Sequence, residues 1–234
     1  MPTLILLRHG RTTANTAGCS RAGRPASPWT SEARPRRRRS GRIGALPLAA
    51  AVSSPLQRCQ ETLAPLLAAR PGLPLHTEDR IGECHYGEWS GRKLAELADE
   101  PLMATVQQHP SSVVFPGGES MRAMQARAVD AVREWNGRIA DEHGADAVYL
   151  MCSHGDVIKA IVADALGLHL DLFQRISVEP CSVTAIRYTP GALRRTAGRH
   201  RRVRRPDPRE DAAAARSGDA AVGGKPEHRD RQGQ

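Results

Sequence analysis

With 234 residues, 40% of them hydrophobic, the chain has material for one large domain, or for one of about 150 residues with appendages, around a real core. It contains no run of 18 apolar residues, which excludes a membrane-spanning helix. Its net charge of +9 is uneven: residues 18–45 hold eight arginines and one acid, residues 191–234 hold eleven arginines, one lysine and six acids, and the rest carries 9 − 7 − 6 = −4.

In chain order, Thr3-Leu4-Ile5-Leu6-Leu7 reads as a buried parallel strand ending at Arg8. That start is too short and too soon charged for a secretory signal. Residues 18–45, with Arg36-Arg37-Arg38-Arg39 and three prolines, read as loop or disorder. Residues 46–53 read as a second buried strand. Ser53-Ser54-Pro55 looks like a helix cap, and the helix beyond it gathers Leu56, Cys59, Leu63, Leu66 and Leu67 on one side, with Pro65 inside. A turn and short strand over 73–82 lead into the Gly-rich stretch Glu83 to Gly91, then a helix near 92–108. Ser120 is the expected cap of a long amphipathic helix, Met121 to His143, with Met124, Ala128, Ala131, Val132, Trp135 and Ile139 inward. Ala147 to Cys152 is the clearest strand and feeds a helix through Leu166. Ser182 to Tyr188 alternates as a strand, and from residue 190 the pattern is lost, so 190–234 is expected to be a disordered basic tail. Strands alternating with helices predict an α/β fold, a three-layer α/β/α sandwich on a mostly parallel sheet.

Two strands end in a His-Gly step, Leu7-Arg8-His9-Gly10 and Cys152-Ser153-His154-Gly155. Ligands of open α/β sheets bind at the carboxyl ends of strands, so adjacent placement would bring His9 and His154 into one crevice. Arg8 offers a guanidinium fork for a phosphate, and Arg58, one turn into its helix, a second. Five cysteines, without a C-x-x-C pair, argue against a disulfide framework or a zinc ribbon. Cys59, Cys84, Cys152 and Cys181 read as buried hydrophobes. His76, His109, His143 and His169 read as surface or loop residues. His85 and Tyr86 adjoin Glu83 and suit either substrate contact or a structural role.

Four blocks carry a resemblance: Leu7 to Asn15, Ser53 to Thr62, Glu83 to Gly91 with Gly118-Glu119-Ser120, and Ser153-His154-Gly155. Over residues 2–17 and 46–189 the chain resembles the histidine phosphatase superfamily, in the branch related to phosphoglycerate mutase. The resemblance implies that residues 1–189 form one domain and that His9 carries the phosphoryl group as phosphohistidine. It implies that Arg8, Arg58 and His154 hold the phosphoryl oxygens and that Glu83 moves the leaving-group proton. Arg11 and Asn15 would lie at the pocket rim. No metal or other cofactor is implied. The expected partner is a small phosphorylated substrate in the cytoplasm, not a membrane. The oligomeric state is left open.

The stretch between Glu83 and Gly118 is short, and Gly87-Glu88-Trp89-Ser90-Gly91 looks more like phosphatases than mutases. The expected function is therefore hydrolysis of a small phosphomonoester, with a phosphomutase as the alternative. A further alternative is an inactive relative whose arginine-rich segments bind nucleic acid. Only Trp29 interleaves those arginines as an aromatic, which disfavours nucleic acid. The family would place a substrate loop and a Leu-Asp or Leu-Thr step within 18–45. Reading that stretch one base out of frame permits a glycine-rich loop at mostly permissive positions, and Trp29-Thr30 then encodes Asp. The segment thus reads as frame-shifted, with a further shift near residue 190.

Overall fold

A computed structural model of the chain describes residues 1–11 and 43–188. Asn15, most of the arginine-rich segment and the tail from residue 189 lie outside the described residues, and so do the expectations about them.

Five strands form one sheet: β1 (Thr3–Arg8), β2 (Leu48–Ser53), β3 (Leu75–Thr77), β4 (Val148–Ser153) and β5 (Val183–Arg187), in the order β3-β2-β4-β1-β5. Neighbours pair in parallel except β5, which runs antiparallel to β1 at one edge. Period-two side chains explain the layers. Leu4 and Leu6 of β1, Ala50 and Val52 of β2, and Tyr149 and Met151 of β4 belong to one apolar cluster. Ile5 and Leu7, Leu48 and Ala51, and Leu150 and Cys152 belong to the other. Leu48 and Ala51 share a face although three residues apart, because the register of β2 on β4 slips between them. β5 shows the single-faced alternation of an edge strand, with only Thr184 and Ile186 half-buried.

The first cluster is covered by α4 (Met121–His143) and α5 (Gly155–Ala165), together with the shorter helices α2 (Leu94–Leu97) and α3 (Pro101–Gln108). The second lies under α1 (Gln57–Ala69) and, among the described residues, Ile43. α4 starts at Ser120, whose Oγ accepts from the Ala123 N–H, and all six of its expected inward residues are buried. Such a cap stabilises a helix by about 1 kcal/mol.

Three expectations need correction. The stretch 92–108 is two helices, because Pro101 cannot continue the first and holds Glu100 extended at φ −71°, ψ 132°. α1 begins two residues beyond Pro55, with Leu56 at its N-cap and no side-chain cap, because Ser54 is engaged elsewhere. His76 is half-buried, its ring 5.0 Å from that of Trp135. No helix among the described residues is long and apolar enough to cross a membrane.

Candidate active site

The two His-Gly steps converge because β1 and β4 are parallel neighbours in matched register. Leu7 lies opposite Cys152 and Arg8 opposite Ser153, and the His9 N–H donates to the Ser153 carbonyl at 3.0 Å. The next residue on each chain is the histidine. Their rings lie 5.1 Å apart at 54°, and both side chains are buried.

Hydrogen bonds assign the tautomer of each ring. His9 Nδ1 lies 2.7 Å from the Gly10 carbonyl, which can only accept, so Nδ1 carries the proton and Nε2 keeps its lone pair. His154 Nδ1 lies 3.1 Å from Arg58 Nε, which can only donate, so Nδ1 is bare. The proton is then on Nε2, where it is donated to Ser54 Oγ at 2.8 Å. Gly10 is held in turn by Thr62 of α1, whose Oγ1 accepts from the Gly10 N–H at 3.0 Å.

Two guanidiniums reach the histidines. Arg8 donates through Nη1 to the Val178 carbonyl at 2.6 Å, while its buried Nε has no partner. A Cβ on Gly155 would lie 3.3 Å from Arg8 Cζ and Nε, so the bare glycine gives this guanidinium its place at the start of α5. Arg58 reaches in from the first turn of α1, its Nη2 3.7 Å from Glu83 Oε2. Arg11 follows at the end of β1, half-buried. A helix N-terminus and two guanidiniums, one with an unmet buried donor, make an anion site.

Glu83 Oε2 lies 3.6 Å from His154 Nδ1, and 14% of its side chain is exposed. Its loop is tied from behind by Arg127 of α4, which donates to the backbone carbonyls of Arg80, Gly82 and Glu83 and pairs with Glu119 at 2.6 Å. Glu119 Oε1 accepts from the His85 N–H at 2.8 Å, and the His85 side chain is exposed. Tyr86 is buried edge-on to Phe115, and its hydroxyl donates to Asp156 Oδ2 at 2.8 Å.

Burial, then Arg58 and Arg8, hold His9 well below the ordinary histidine range, so it is a neutral base. Burial and Arg58 do the same to His154. Burial pushes Glu83 up; Arg58 opposes that and the Asp156 charge adds to it. The site therefore combines a lone-pair nitrogen, a carboxyl inclined to keep its proton, and fixed positive charge.

The structure brings Arg8, His9, Arg58, Glu83 and His154 together as the sequence predicts. Sequence reasoning missed Ser54, Thr62, Arg127 and Asp156. Ser54 and Thr62 stood within a recognised block, and Asp156 directly follows His154-Gly155. Cys59, Cys84 and Cys152 are buried as expected, whereas Cys181 is only half-buried, and Cys59 Sγ lies 3.6 Å from His154 Nε2. His9, Glu83 and His154 also offer three metal-type donors within 4.8 Å of one another. Arg58, bonded to His154 and 3.7 Å from Glu83, and the nearby Arg8 make the cavity repel a dication and favour an anion.

The sequence model of the histidine phosphatase superfamily (branch 1) matches residues 4–197. A 2,3-bisphosphoglycerate-dependent phosphoglycerate mutase 2 of Gloeobacter violaceus is 31% identical over 193 residues, 80% of this chain and 86% of that protein. A glucosyl-3-phosphoglycerate phosphatase of Mycobacterium tuberculosis is 31% identical over 182 residues, 70% of this chain and 75% of that protein. Among solved structures, YhfR of Bacillus stearothermophilus superposes with a TM-score of 0.70 at 29% identity, covering 82% of this chain and 93% of that one.

Proposed function

From the premise that the chain belongs to the histidine phosphatase superfamily, branch 1, we propose that it is a phosphatase that hydrolyses a small phosphomonoester through a phosphohistidine on His9. The observation that carries this reading is the pair of tautomer-fixing hydrogen bonds, His9 Nδ1 to the Gly10 carbonyl and Arg58 Nε to His154 Nδ1. They leave His9 Nε2 as a neutral nucleophile beside two guanidiniums.

In the first step His9 Nε2 attacks phosphorus in line, the P–O bond breaks, and the departing oxygen takes the proton of Glu83. Arg8 and Arg58 meet the charge on the phosphoryl oxygens, and the role that the resemblance gives His154 there requires a proton on its Nδ1. In the second step the Glu83 carboxylate takes a proton from water, the water oxygen attacks phosphorus, and the P–N bond returns its electrons to His9. Inorganic phosphate leaves and Glu83 is again an acid. Arg11, and Asn15 on the resemblance alone, would contact the rest of the substrate.

The short Glu83–Gly118 stretch supports phosphatase over mutase, as does the likeness to glucosyl-3-phosphoglycerate phosphatase. The likeness to a phosphoglycerate mutase favours a second reading, a phosphomutase, in which water is excluded and the phosphoryl group returns to a second hydroxyl. Incubation with a 32P-labelled phosphomonoester separates them: a phosphatase releases the label as inorganic phosphate, a mutase as a new ester. In either case His9→Ala should lose acid-labile protein labelling and turnover together. Labelling that survives in that variant would overturn the mechanism.

A further inference from the structure

Asp156 is the one acid in the first turn of α5, and its position is not that of a solvated helix-terminal charge. It is 3% exposed and turned into the molecule. Oδ2 accepts from the Tyr86 hydroxyl at 2.8 Å. Oδ1 has no hydrogen-bond partner, and the Lys159 ammonium stands 3.8 Å from it. A carboxylate favoured only by the helix dipole would gain as much at the surface, without the cost of a buried oxygen that lacks a hydrogen bond. Its one hydrogen-bond partner, Tyr86, is also a neighbour of Glu83: the Tyr86 hydroxyl lies 3.5 Å from Glu83 Oε1.

A phenol has a single proton, and the shorter contact takes it. Tyr86 therefore donates to Asp156 and turns its oxygen lone pairs toward Glu83. Glu83 is thereby denied a donor that would stabilise its anion. Building on the phosphatase reading, we propose that Asp156 is a positioning residue for proton transfer: acting through the Tyr86 hydroxyl, it keeps on Glu83 the proton that the leaving group takes.

The surroundings agree in sign. Glu83 faces Arg58 from α1, Arg8 and His9 from the end of β1, His154 after β4, Asp156 from α5, Arg127 from α4 at its backbone carbonyl, and Cys84 and Tyr86 from its own loop. The arginines and the Cys84 N–H, 3.1 Å from Oε1, favour the carboxylate. Burial and the Asp156 charge favour the acid and prevail. Tyr86 is itself pushed well above the ordinary phenol range by burial and by Asp156, so it keeps its proton. Without Asp156, burial alone would oppose the positive side of the site, and Glu83 would keep its proton less firmly for a poor leaving group.

The test is Asp156→Ala, which removes both the charge and the acceptor of the Tyr86 proton, with Asp156→Ser in its place should the first fail to fold, read in two ways on the full chain. In a carbon-13 titration of the glutamate carboxyls, with Glu83 assigned by its loss in Glu83→Gln, the Glu83 midpoint should fall by about one pH unit. Turnover of an alkyl phosphate should fall about tenfold at pH 7.5 and less than about threefold at pH 5.5, while p-nitrophenyl phosphate, which needs no proton, changes less than about threefold at both. An unchanged Glu83 midpoint would overturn the proposal. So would an equal loss at both pH values and for both leaving groups, since that is the mark of a merely structural residue. Should the unsubstituted chain release no phosphate from any ester, the phosphatase reading fails by itself, and the Glu83 midpoint still decides for or against the relay.

Discussion

Ser54 has the sequence position of a helix cap, but its hydroxyl is turned to His154, and α1 starts without a side-chain cap. The residue type was legible; its partner was not, because that partner is 100 positions away and is set by the β2–β4 pairing. The same holds for Asp156 and Tyr86, 70 positions apart. His9, Arg8, Arg58, Glu83 and His154 were legible because each stands in a short block whose chemistry shows locally. The residues that orient them were not, since a hydroxyl or carboxylate in a strand-to-helix turn reads equally well as a cap. Removing the Ser54 hydroxyl leaves the buried His154 Nε2–H with only the Cys59 sulfur at 3.6 Å. Ser54→Ala should therefore cost about 1–3 kcal/mol of stability in urea unfolding. It should also lower kcat/KM about tenfold, because the imidazole is no longer held with Nδ1 toward Arg58 and Glu83. Unchanged turnover together with unchanged stability would show that the hydrogen bond orients nothing.

Among elements, the strands and α4 were read nearly to the residue, because buried runs and the 3.6-residue period persist over their length. The Glu83 loop was read only as Gly-rich, and its shape depends on contacts that no periodicity encodes. Gly87 has φ +54°, and a Cβ there would collide with the Pro116 carbonyl. A Cβ on Gly118 would collide with the His85 carbonyl and come within 2.7 Å of the Gly87 nitrogen. The two glycines thus let the loop carrying Glu83 lie against the segment leading into α4, where Glu119 and Arg127 clamp it. All the atoms met are backbone, so no rotamer change relieves the clash. Gly118→Ala should destabilise the fold by about 1–3 kcal/mol and shift Glu83 off the His9–His154 pair. Turnover should then fall more for alkyl than for nitrophenyl esters. A variant with the stability and leaving-group profile of the unsubstituted chain would refute this coupling of loop to site.

On the scale of the whole molecule, the site concentrates groups whose protonation in the folded state departs from that in the unfolded chain, and this ties stability to pH. His9 and His154 are held neutral, well below their unfolded value of 6.5. As pH falls below 6.5 the unfolded chain takes up two protons that the folded one refuses, so each histidine withdraws about 1.4 kcal/mol per pH unit. Glu83 acts in the opposite sense. Its folded value is raised above the unfolded 4.5, so the stability it contributes is full below 4.5 and is lost as pH rises through the raised value. In the window between those values it offsets part of the histidine loss. Glu78, lowered to about 2 chiefly by its bonds to Arg80, adds its own loss only as pH falls from 4.5 toward 2. Between pH 5 and 6 the balance therefore rests on these two histidines, on His76, which burial also lowers, and on Glu83. Stability from urea unfolding should fall with acidification most steeply in Glu83→Gln, less in the unsubstituted chain, and least in His9→Asn, where one refusing group is gone. The order of the three slopes carries the test, because whatever a substitution costs in packing is the same at every pH and leaves the slope unchanged. If His9→Asn loses stability as steeply as the unsubstituted chain, His9 is not held neutral by the fold, and its role as a nucleophile ready at neutral pH loses its physical basis.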